Sequence, residues 1–361
     1  MTFDVLERES APAATEPSFE MPANRKAAVP GKVTPAEAMA LARHCMRYRD
    51  PNDVRAWHEL ATTFGLYSLT CAAMLWALAS GIWSGIALAV PAGLLLVRLF
   101  TVQHDCGHGS FFSSRTLNTW VGRVLGVLTV TPFGAWKLAH SLHHSGSGDL
   151  ERRGIGDIDT LTVKEYEARS VYGRWAYRAY RHPIVLHLIG PPIYFLVVHR
   201  IPFFQALPSS QVWKSTMATN AGIVALYGSL GLLVGFGPVL AAVVAVATVA
   251  SWIGGWLFYV QHQFEETHWA AGEDWDARTA ALNGSSHYVL PGWLHWLTGH
   301  IGLHHIHHLN SRVPSYRLPE CLAGDERLSR ISRLTMRESL GSIGLSLWDE
   351  ETRRLVPFAQ A

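Results

Sequence analysis

Two long stretches without a charged residue constrain this chain more than any other feature. No Asp, Glu, Lys or Arg occurs in the 37 residues from 61 to 97 or in the 50 residues from 215 to 264. A helix that crosses a bilayer needs about 20 apolar residues, so each stretch is long enough for a pair of spans. A soluble helical core is the alternative, but 50 consecutive uncharged residues argue against it. The sequence therefore predicts a polytopic membrane protein.

Glycine-containing turns divide each stretch into two helices. The first stretch has a turn at residues 81–84 (GIWS), and the second has the helix-stopping sequence GFGP at residues 235–238. The predicted fold class is all-α, with four transmembrane helices in two hairpins and a cytoplasmic helical cap. The spans are predicted at about residues 61–80, 84–103, 215–235 and 239–262. Two shorter apolar stretches, residues 120–136 and 183–198, are predicted as interfacial or re-entrant helices.

Charge balance and cysteine usage exclude other classes of protein. Thirty Lys and Arg against 28 Asp and Glu leave a net charge of +2, too balanced for a nucleic-acid partner. The four cysteines form no CxxC pattern, so neither a disulfide framework nor a cysteine-ligated cluster is expected. Charged residues are 16% of the chain, against about 25% in an average soluble protein, which excludes a disordered chain.

The positive charges predict the orientation in the membrane. Apart from Arg98, every Lys and Arg lies before residue 60, between residues 104 and 214, or after residue 264. By the positive-inside rule, both termini and the central loop face the cytoplasm. Residues 1–34 are predicted to be a flexible tail without a cleaved signal. A helix is predicted to begin near residues 34–37, with Thr34 as its cap and Pro35 in its first turn.

Nineteen histidines are the one unusual count, and most of them lie at the cytoplasmic edges of the predicted spans. Three groups stand out: HDCGH at 104–108, HSLHH at 140–144 and HHIHH at 304–308. Spacings of three and four residues place side chains on one face of a helix, so HxxxH presents two imidazoles to a common point and HxxHH presents three. With the histidine that ends the fourth span, the candidate metal ligands are His104, His108, His140, His143, His144, His262, His304, His307 and His308.

Nine imidazoles exceed what one tetrahedral zinc ion can use, so two metal ions fit them better. Both zinc and iron suit imidazole, and the paired Glu-x-x-His pattern of di-iron bundles is absent near these groups. A single HxxxH pair is more often structural than a ligand pair, but three groups on one side of the membrane favour a metal centre. His305 is predicted to point off the ligand face, and His268 is an alternative to His262.

The flanking motifs resemble those of the membrane fatty acid desaturases, specifically the bacterial acyl-lipid type. The resemblance is carried by HDCGHGSFF (104–112), HSLHHSGSGDLERRGIGDIDTLT (140–162), YVQHQFEETHW (259–269) and TGHIGLHHIHHLNSRVPSYRLPEC (298–321). It implies a desaturase domain over residues 35–321 in the bacterial inner membrane, followed by a cytoplasmic segment, residues 322–361. Two departures from similar sequences are His300, commonly Asn, and His268, commonly an aromatic residue.

The resemblance further implies that the nine histidines hold two iron ions. It implies an enzyme that uses O2 and two electrons to insert a double bond into a lipid-linked acyl chain. Ligating imidazoles need acceptors for their free N–H groups, and Asp105, Asp149, Asp157 and Asp159 are the candidates. A related di-iron membrane hydroxylase or ketolase stays open, because the spacing of the histidines does not separate the three reactions. A non-catalytic metal transporter would need charged groups inside the spans, and both stretches are uncharged.

An external electron donor is expected as a partner. The four cysteines do not form the C-x4-C-x2-C pattern of a plant-type ferredoxin, and the tails are too short for a fused cytochrome domain. A soluble ferredoxin or a similar carrier is therefore predicted to dock on the cytoplasmic face. The candidate contacts, for which a role in binding lipid headgroups is equally open, are Arg152, Arg153, Arg174, Arg178 and Arg181.

Overall fold

The computed structural model describes residues 32–205, 207 and 209–360, and the fold of these residues is mostly helical. Nearly all of the predicted flexible tail lies outside the described residues. The described α-helices are α1 (Pro35–Cys45), α2 (Asp53–Ala79), α3 (Ala89–His108), α4 (Arg115–Leu128), α5 (Phe133–Gly146), α6 (Val163–Glu167), α7 (Val171–Arg181), α8 (Gly190–Leu196), α9 (Ser210–Val234), α10 (Phe236–His262), α11 (Ala277–Asn283), α12 (Gly292–Leu297), α13 (His304–Leu309), α14 (Leu318–Ala323) and α15 (Met336–Ser339).

Short strands add two small sheets to the mostly helical fold, which the prediction of an all-α fold did not include. The strands are β1 (Leu161–Thr162), β2 (His287–Val289), β3 (Arg333–Thr335), β4 (Leu347–Asp349) and β5 (Arg354–Val356). β4 pairs in parallel with β1 and antiparallel with β5, and β2 pairs in parallel with β3. The segment after residue 321 therefore packs into the body of the protein. Strands of two or three residues are too short to show an alternating pattern in the sequence.

Within the described residues, four helical stretches are long and apolar enough to cross a membrane: Asp53–Ala79, Trp83–His108, Ser210–Val234 and Phe236–His262. They include the four predicted spans with shifted ends. α2, the first of the four stretches, begins earlier than predicted because the side chain of Asn52 caps it, accepting a hydrogen bond of 3.1 Å from the Arg55 amide. A single residue, Gly235 with φ of +95°, separates α9 from α10. Pro238 lies in the first turn of α10, where proline is tolerated.

The predicted helix start at residues 34–37 is confirmed. α1 begins at Pro35, and Thr34 and Glu37 form a capping box in which each side chain bonds the other's backbone amide. The buried side of α1 packs against the segments that follow the fourth span, where Leu41 and Cys45 contact Ile306 and Cys321 in one apolar cluster. α1 therefore packs against the helix that carries the third histidine group.

The two ambiguous apolar stretches fold differently from each other. Residues 120–136 are divided between α4 and α5 by a turn in which Val130 has φ of +46°. Residues 183–198 contain a π-helical segment, Ile184–Ile189, followed by α8. Together with α7 this segment is a bent helix pair with an angle of 54°, which is compatible with a broken span or a re-entrant loop.

The core centres on α3, which packs against α2, α4 and α10. Its one arginine, Arg98, is buried and pairs with Glu59 of α2. The same guanidinium donates to Thr63 Oγ1 at 2.9 Å and lies 4.1 Å from the ring centroid of Trp296. A buried cation is tolerated where such partners satisfy it. This packing fixes the last turns of α3, which carry the first histidine group.

Candidate metal centre

Nine buried or half-buried histidines from four helices converge at the ends of α3 and α10. Within each of two groups, one imidazole nitrogen per residue lies within 4.8 Å of the others. The first group is His104, His108, His140, His144 and His307, and the second is His143, His262, His304 and His308. All nine sequence-predicted candidate ligands are therefore brought together.

The helical repeat divides the two HxxHH motifs between the groups. Residues i and i+4 are about 40° apart around a helix, whereas i+3 lies about 60° to the other side of i. In α5, His140 and His144 accordingly face the first group and His143 faces the second. In α13 the roles are exchanged, since His304 and His308 face the second group and His307 the first. The prediction that each HxxHH motif presents three imidazoles to one point is therefore wrong.

The Nε2 atoms within each group approach one another at hydrogen-bond distance. His140 Nε2 lies 3.0 Å from both His108 Nε2 and His144 Nε2, and the latter lies 3.0 Å from His307 Nε2. In the second group, His262 Nε2 is 3.0 Å from His304 Nε2. Two neutral imidazoles cannot both donate along such a contact, and a converging set of lone pairs is the donor set of a metal ion. The two groups therefore fit two metal ions.

Three of the imidazoles have an acceptor for the opposite ring nitrogen, Nδ1. His104 Nδ1 lies 3.1 Å from Asp105 Oδ1, His143 Nδ1 bonds the Asp157 carboxylate, and His262 Nδ1 lies 3.1 Å from the Gly284 carbonyl oxygen. Such bonds hold the proton on Nδ1 and leave Nε2 free to bind a metal. The Gly284 carbonyl could not be predicted from the sequence, because a backbone acceptor has no signature in residue types.

The other two aspartates proposed as acceptors have different partners. The carboxylate of Asp149 accepts from Arg152 Nε at 2.6 Å and from the Glu151 amide. The backbone amide of Asp159 donates to Tyr180 Oη at 3.1 Å. Among the described contacts neither aspartate bonds an imidazole. Of the four candidates, only Asp105 and Asp157 are placed to orient a ligand.

Burial keeps five of the candidate ligands outside the spans neutral. It lowers the pKa of His140, His144, His304, His307 and His308 well below the usual value for histidine, and the neighbouring imidazoles lower it further. The desolvation of a buried cation is the main cause. At neutral pH these side chains therefore carry the lone pairs that metal binding requires.

Three other histidines lie close in sequence but outside both groups. His305 is fully buried on the opposite side of α13, where its Nε2 lies 2.9 Å from the Leu328 carbonyl oxygen. His300 has φ of +59° and stacks at 6.0 Å on His295. His268 belongs to neither group, so His262 is the better candidate ligand, as predicted.

Aromatic residues contact the histidines one helical turn before a candidate ligand. Trp136 stacks on His140 with ring centroids 4.6 Å apart and planes 15° apart. Phe258 lies 5.5 Å from His143 and 5.7 Å from His262. These rings give the centre an apolar border on the side of the spans.

The arginines proposed as docking contacts are not equally accessible. Arg181 is buried, donating to Gln263 Oε1 at 2.9 Å and to the Leu345 carbonyl, so it is not a surface contact. Arg153 pairs with Glu165, and Arg152 pairs with Asp149 while its side chain stays half exposed. Of the five arginines, only those with exposed side chains can therefore take part in docking, which leaves out Arg181.

Comparison with known proteins agrees with this geometry. Helices that are long and apolar enough to span a membrane and histidine groups that could hold metal ions define the class, a membrane protein with a histidine-rich candidate metal centre. The family model for fatty acid desaturases matches residues 81–339. A Bacillus subtilis (strain 168) fatty acid desaturase is 41% identical over 76% of this chain and 77% of its own length. An sn-1 oleoyl-lipid 12-desaturase from a Synechocystis species is 28% identical over 73% of this chain and 74% of its own. An sn-1 acyl-lipid omega-3 desaturase (ferredoxin) from the same species is 28% identical over 63% of each chain.

The chain therefore belongs to the fatty acid desaturase family, whose members are oxidoreductases.

Proposed function

We propose that this protein is a membrane-bound acyl-lipid desaturase that inserts a double bond with O2 and two electrons at a di-iron centre. The observation that carries the proposal is the division of nine histidines into groups of five and four. The alternatives, a hydroxylase or a ketolase, would use the same centre and differ in their product.

Iron suits this donor set better than zinc. Five imidazole nitrogens in the first group exceed the four ligands of a structural zinc site. Imidazole is a good ligand for iron, and neither group contains a carboxylate or a thiolate. When bound, two iron ions and O2 would supply the oxidising power that an unactivated C–H bond requires and that side chains lack.

The protein's own residues orient the ligands and exclude water. Asp105, Asp157 and the Gly284 carbonyl accept the Nδ1 protons of three histidines, which turns their Nε2 atoms toward the metals. Trp136 and Phe258 border the centre with apolar surface. An acyl chain that reaches the metals along this border is separated from bulk water.

A lipid-linked acyl chain is the proposed substrate. The four candidate spans support a location of this protein in a bilayer, and two of the relatives are named for acting on sn-1 acyl lipids. The distribution of Lys and Arg favours two helical hairpins with the centre and both termini on the cytoplasmic side of a bacterial inner membrane.

The reaction requires an electron carrier. Reducing O2 to two molecules of water takes four electrons and four protons. Forming the double bond supplies two electrons and two protons from the substrate, so two more electrons must come from outside. One relative carries ferredoxin in its name, which supports a ferredoxin or a similar one-electron carrier as donor.

Product analysis tests the proposal. The chain is expressed in a host that lacks desaturases, and the double bonds of each lipid class are located by mass spectrometry, with a His144→Ala variant as control. We expect new double bonds in intact membrane lipids with the wild type only. Hydroxylated or keto chains would identify the alternative reactions. Unchanged lipids, together with oxygen-independent metal flux into proteoliposomes, would indicate a transporter instead.

A further inference from the structure

The helix α7 has its polar side turned toward the protein. Tyr177 and Arg181 are its buried residues. Tyr177 Oη donates to the Ser346 carbonyl at 2.7 Å, and Arg181 Nη2 donates to Gln263 Oε1 at 2.9 Å. In a helix on the surface of a soluble protein the buried side would instead be apolar.

The opposite side of α7 is apolar and exposed. Val171 is 67% exposed, Tyr172 87% and Trp175 74%, and the exposed Ala176 and Ala179 complete this face. Helical geometry places these five residues within an arc of about 140° that contains no charged side chain. We call them the outer face of α7. A contiguous exposed apolar face of this kind marks an interaction surface.

Contacts with α10 define the depth of this region. Gln263, which Arg181 bonds, directly follows the last residue of the candidate span α10. Beyond α7, the ring of His187 lies 4.5 Å from that of Tyr259, and Trp252 Nε1 donates to the Leu188 carbonyl at 2.8 Å. After α7 the chain thus runs back alongside α10, from the level of its last residue to the level of Trp252, over about ten residues of α10 or ~15 Å.

The exposed apolar surface continues along this path. Leu188, Ile189 and Ile193 are 52%, 48% and 49% exposed and lie at the depth of the interior of the candidate span α10, which is the depth of a hydrocarbon core if α10 crosses a bilayer. α7 precedes them at the level where the span ends, which is the depth of the headgroups. Tryptophan and tyrosine are enriched at that depth.

The charges of α7 fit the same position. Arg174 and Arg178 lie on its flank, between the outer face and the buried side. Interfacial helices carry Lys and Arg beside an apolar face, because the cations meet anionic headgroups while the apolar side chains enter the acyl region. A soluble protein partner would not extend its interface to the hydrocarbon depth at which Leu188, Ile189 and Ile193 lie.

We propose that α7 is an interfacial helix that docks on the anionic cytoplasmic surface of the lipid bilayer through its outer face. This contact also bears on the metal centre. Arg181 Nη1 donates to the Asp159 carbonyl at 3.2 Å, and this carbonyl lies two residues after Asp157, the partner of His143. The bilayer contact thereby holds the loop that orients one candidate ligand.

The experiment uses the full chain in lipid nanodiscs that contain phosphatidylglycerol. A nitroxide is attached to Ala176→Cys on the outer face, in a Cys71→Ser background, and Lys164→Cys on α6 serves as the matched control. The side chain of Lys164 is 70% exposed. Power-saturation spectroscopy then compares the accessibility of each label to O2, which concentrates in lipid, and to a water-soluble nickel chelate.

We expect O2 accessibility to exceed nickel accessibility at position 176 and the order to be reversed at position 164. A label on Ala179→Cys should repeat the lipid pattern, which guards against a local defect in one variant. Nickel accessibility at 176 as high as at 164 would place α7 in water and overturn the proposal. Shielding from both reagents would mean that protein covers the face, which also overturns it. Neither reading depends on whether the protein desaturates lipids.

Discussion

Asp157 controls the orientation of one candidate ligand through a single carboxylate. It bonds Nδ1 of His143, whose Nε2 lies 3.2 Å from His308 Nε2 in the second group. Asp157→Asn replaces the charged acceptor with an amide, so we expect metal affinity or turnover to fall by about 10–100-fold. Iron retained after dialysis against a chelator and lipid desaturation are the measurements.

Asp149→Asn is the matched control for this variant. Asp149 is buried nearby in sequence, but its carboxylate pairs with Arg152. We expect its iron content to stay at the wild-type level. Equal iron losses in the two variants would show that the loop, and not the bond to His143, holds the metal.

His295 makes stability depend on pH. Burial lowers its pKa from 6.5 to about 4, and its Nε2 accepts a hydrogen bond of 3.2 Å from the Leu290 amide, which requires the neutral ring. The unfolded chain therefore binds a proton that the folded chain does not. Stability is complete above pH 6.5 and is lost as the pH falls toward 4, by at most a few kcal/mol at about 1.4 kcal/mol per pKa unit.

The check is a His295→Gln variant, whose side-chain oxygen can still accept from Leu290. Other buried histidines destabilise both proteins in acid, so the difference between the two melting curves is the informative quantity. We expect the variant to lose less of its melting temperature than the wild type between pH 6.5 and 4. Parallel losses would assign the acid sensitivity to other groups.

The identity of the candidate ligands could be predicted from spacing, but their division between two groups could not. HxxHH marks three histidines on neighbouring faces, and only the placement of α5 and α13 in the fold decides which face meets which group. An acceptor for the Nδ1 proton of a candidate ligand could be predicted where an aspartate directly follows that ligand, as Asp105 follows His104. The Gly284 carbonyl depends on the fold alone.

At the scale of elements, one close approach positions the helices that carry the centre. α3 meets α10 at Gly93, where an added Cβ would lie 2.6 Å from Val249 Cγ1 and 3.2 Å from the Ala250 amide nitrogen. Gly93→Ala must therefore push the helices apart, and we expect a loss of about 1–3 kcal/mol in stability. Thermal unfolding of the purified protein in detergent measures it.

Gly254→Ala on α10 is the control, because no atom lies within 4 Å of an added Cβ there. Alanine is the better helix former by about 0.5–1 kcal/mol, so this variant should unfold at the same temperature or slightly higher. A drop of equal size in both variants would contradict the assigned packing.

The long helices could be predicted from the uncharged stretches, whereas their ends and the small strands could not. α2 extends N-terminally past its apolar part through Asp53, Arg55 and Glu59, since a helix end is set by its cap and not by hydropathy. β5 forms a short hairpin with β4, whereas β3 and β4 exist because β2 and β1, from distant parts of the chain, lie beside them. No local pattern carries that information.

At the scale of the whole molecule, all nine candidate ligands must lie on one side of the membrane. Cysteines introduced at Gly154 in the central loop, and tags at either terminus, should react only from the cytoplasmic side. Cysteines at Gly81 and Gly237, beside the two turns, should react only from the opposite side. Impermeant thiol reagents applied to intact cells and to inverted vesicles measure both.

Labelling of Gly154→Cys from outside intact cells would contradict this orientation. It would also separate the loop that carries Asp157 from the cytoplasmic electron carrier. The bent pair formed by α7 and the segment Ile184–Arg200 returns the chain to the same side only if it is re-entrant. Cysteines before and after it, at Lys164 and Ser210, should therefore react from the same side.

The metal content of the purified protein tests the central claim most directly. Elemental analysis by mass spectrometry is combined with Mössbauer spectroscopy of protein grown on ⁵⁷Fe. We expect two iron ions per chain, a loss of iron in His307→Ala, and full iron content in His305→Ala, which retains its fold with reduced stability. One metal ion per chain, zinc in an active protein, or equal iron loss in the two histidine variants would contradict the central claim.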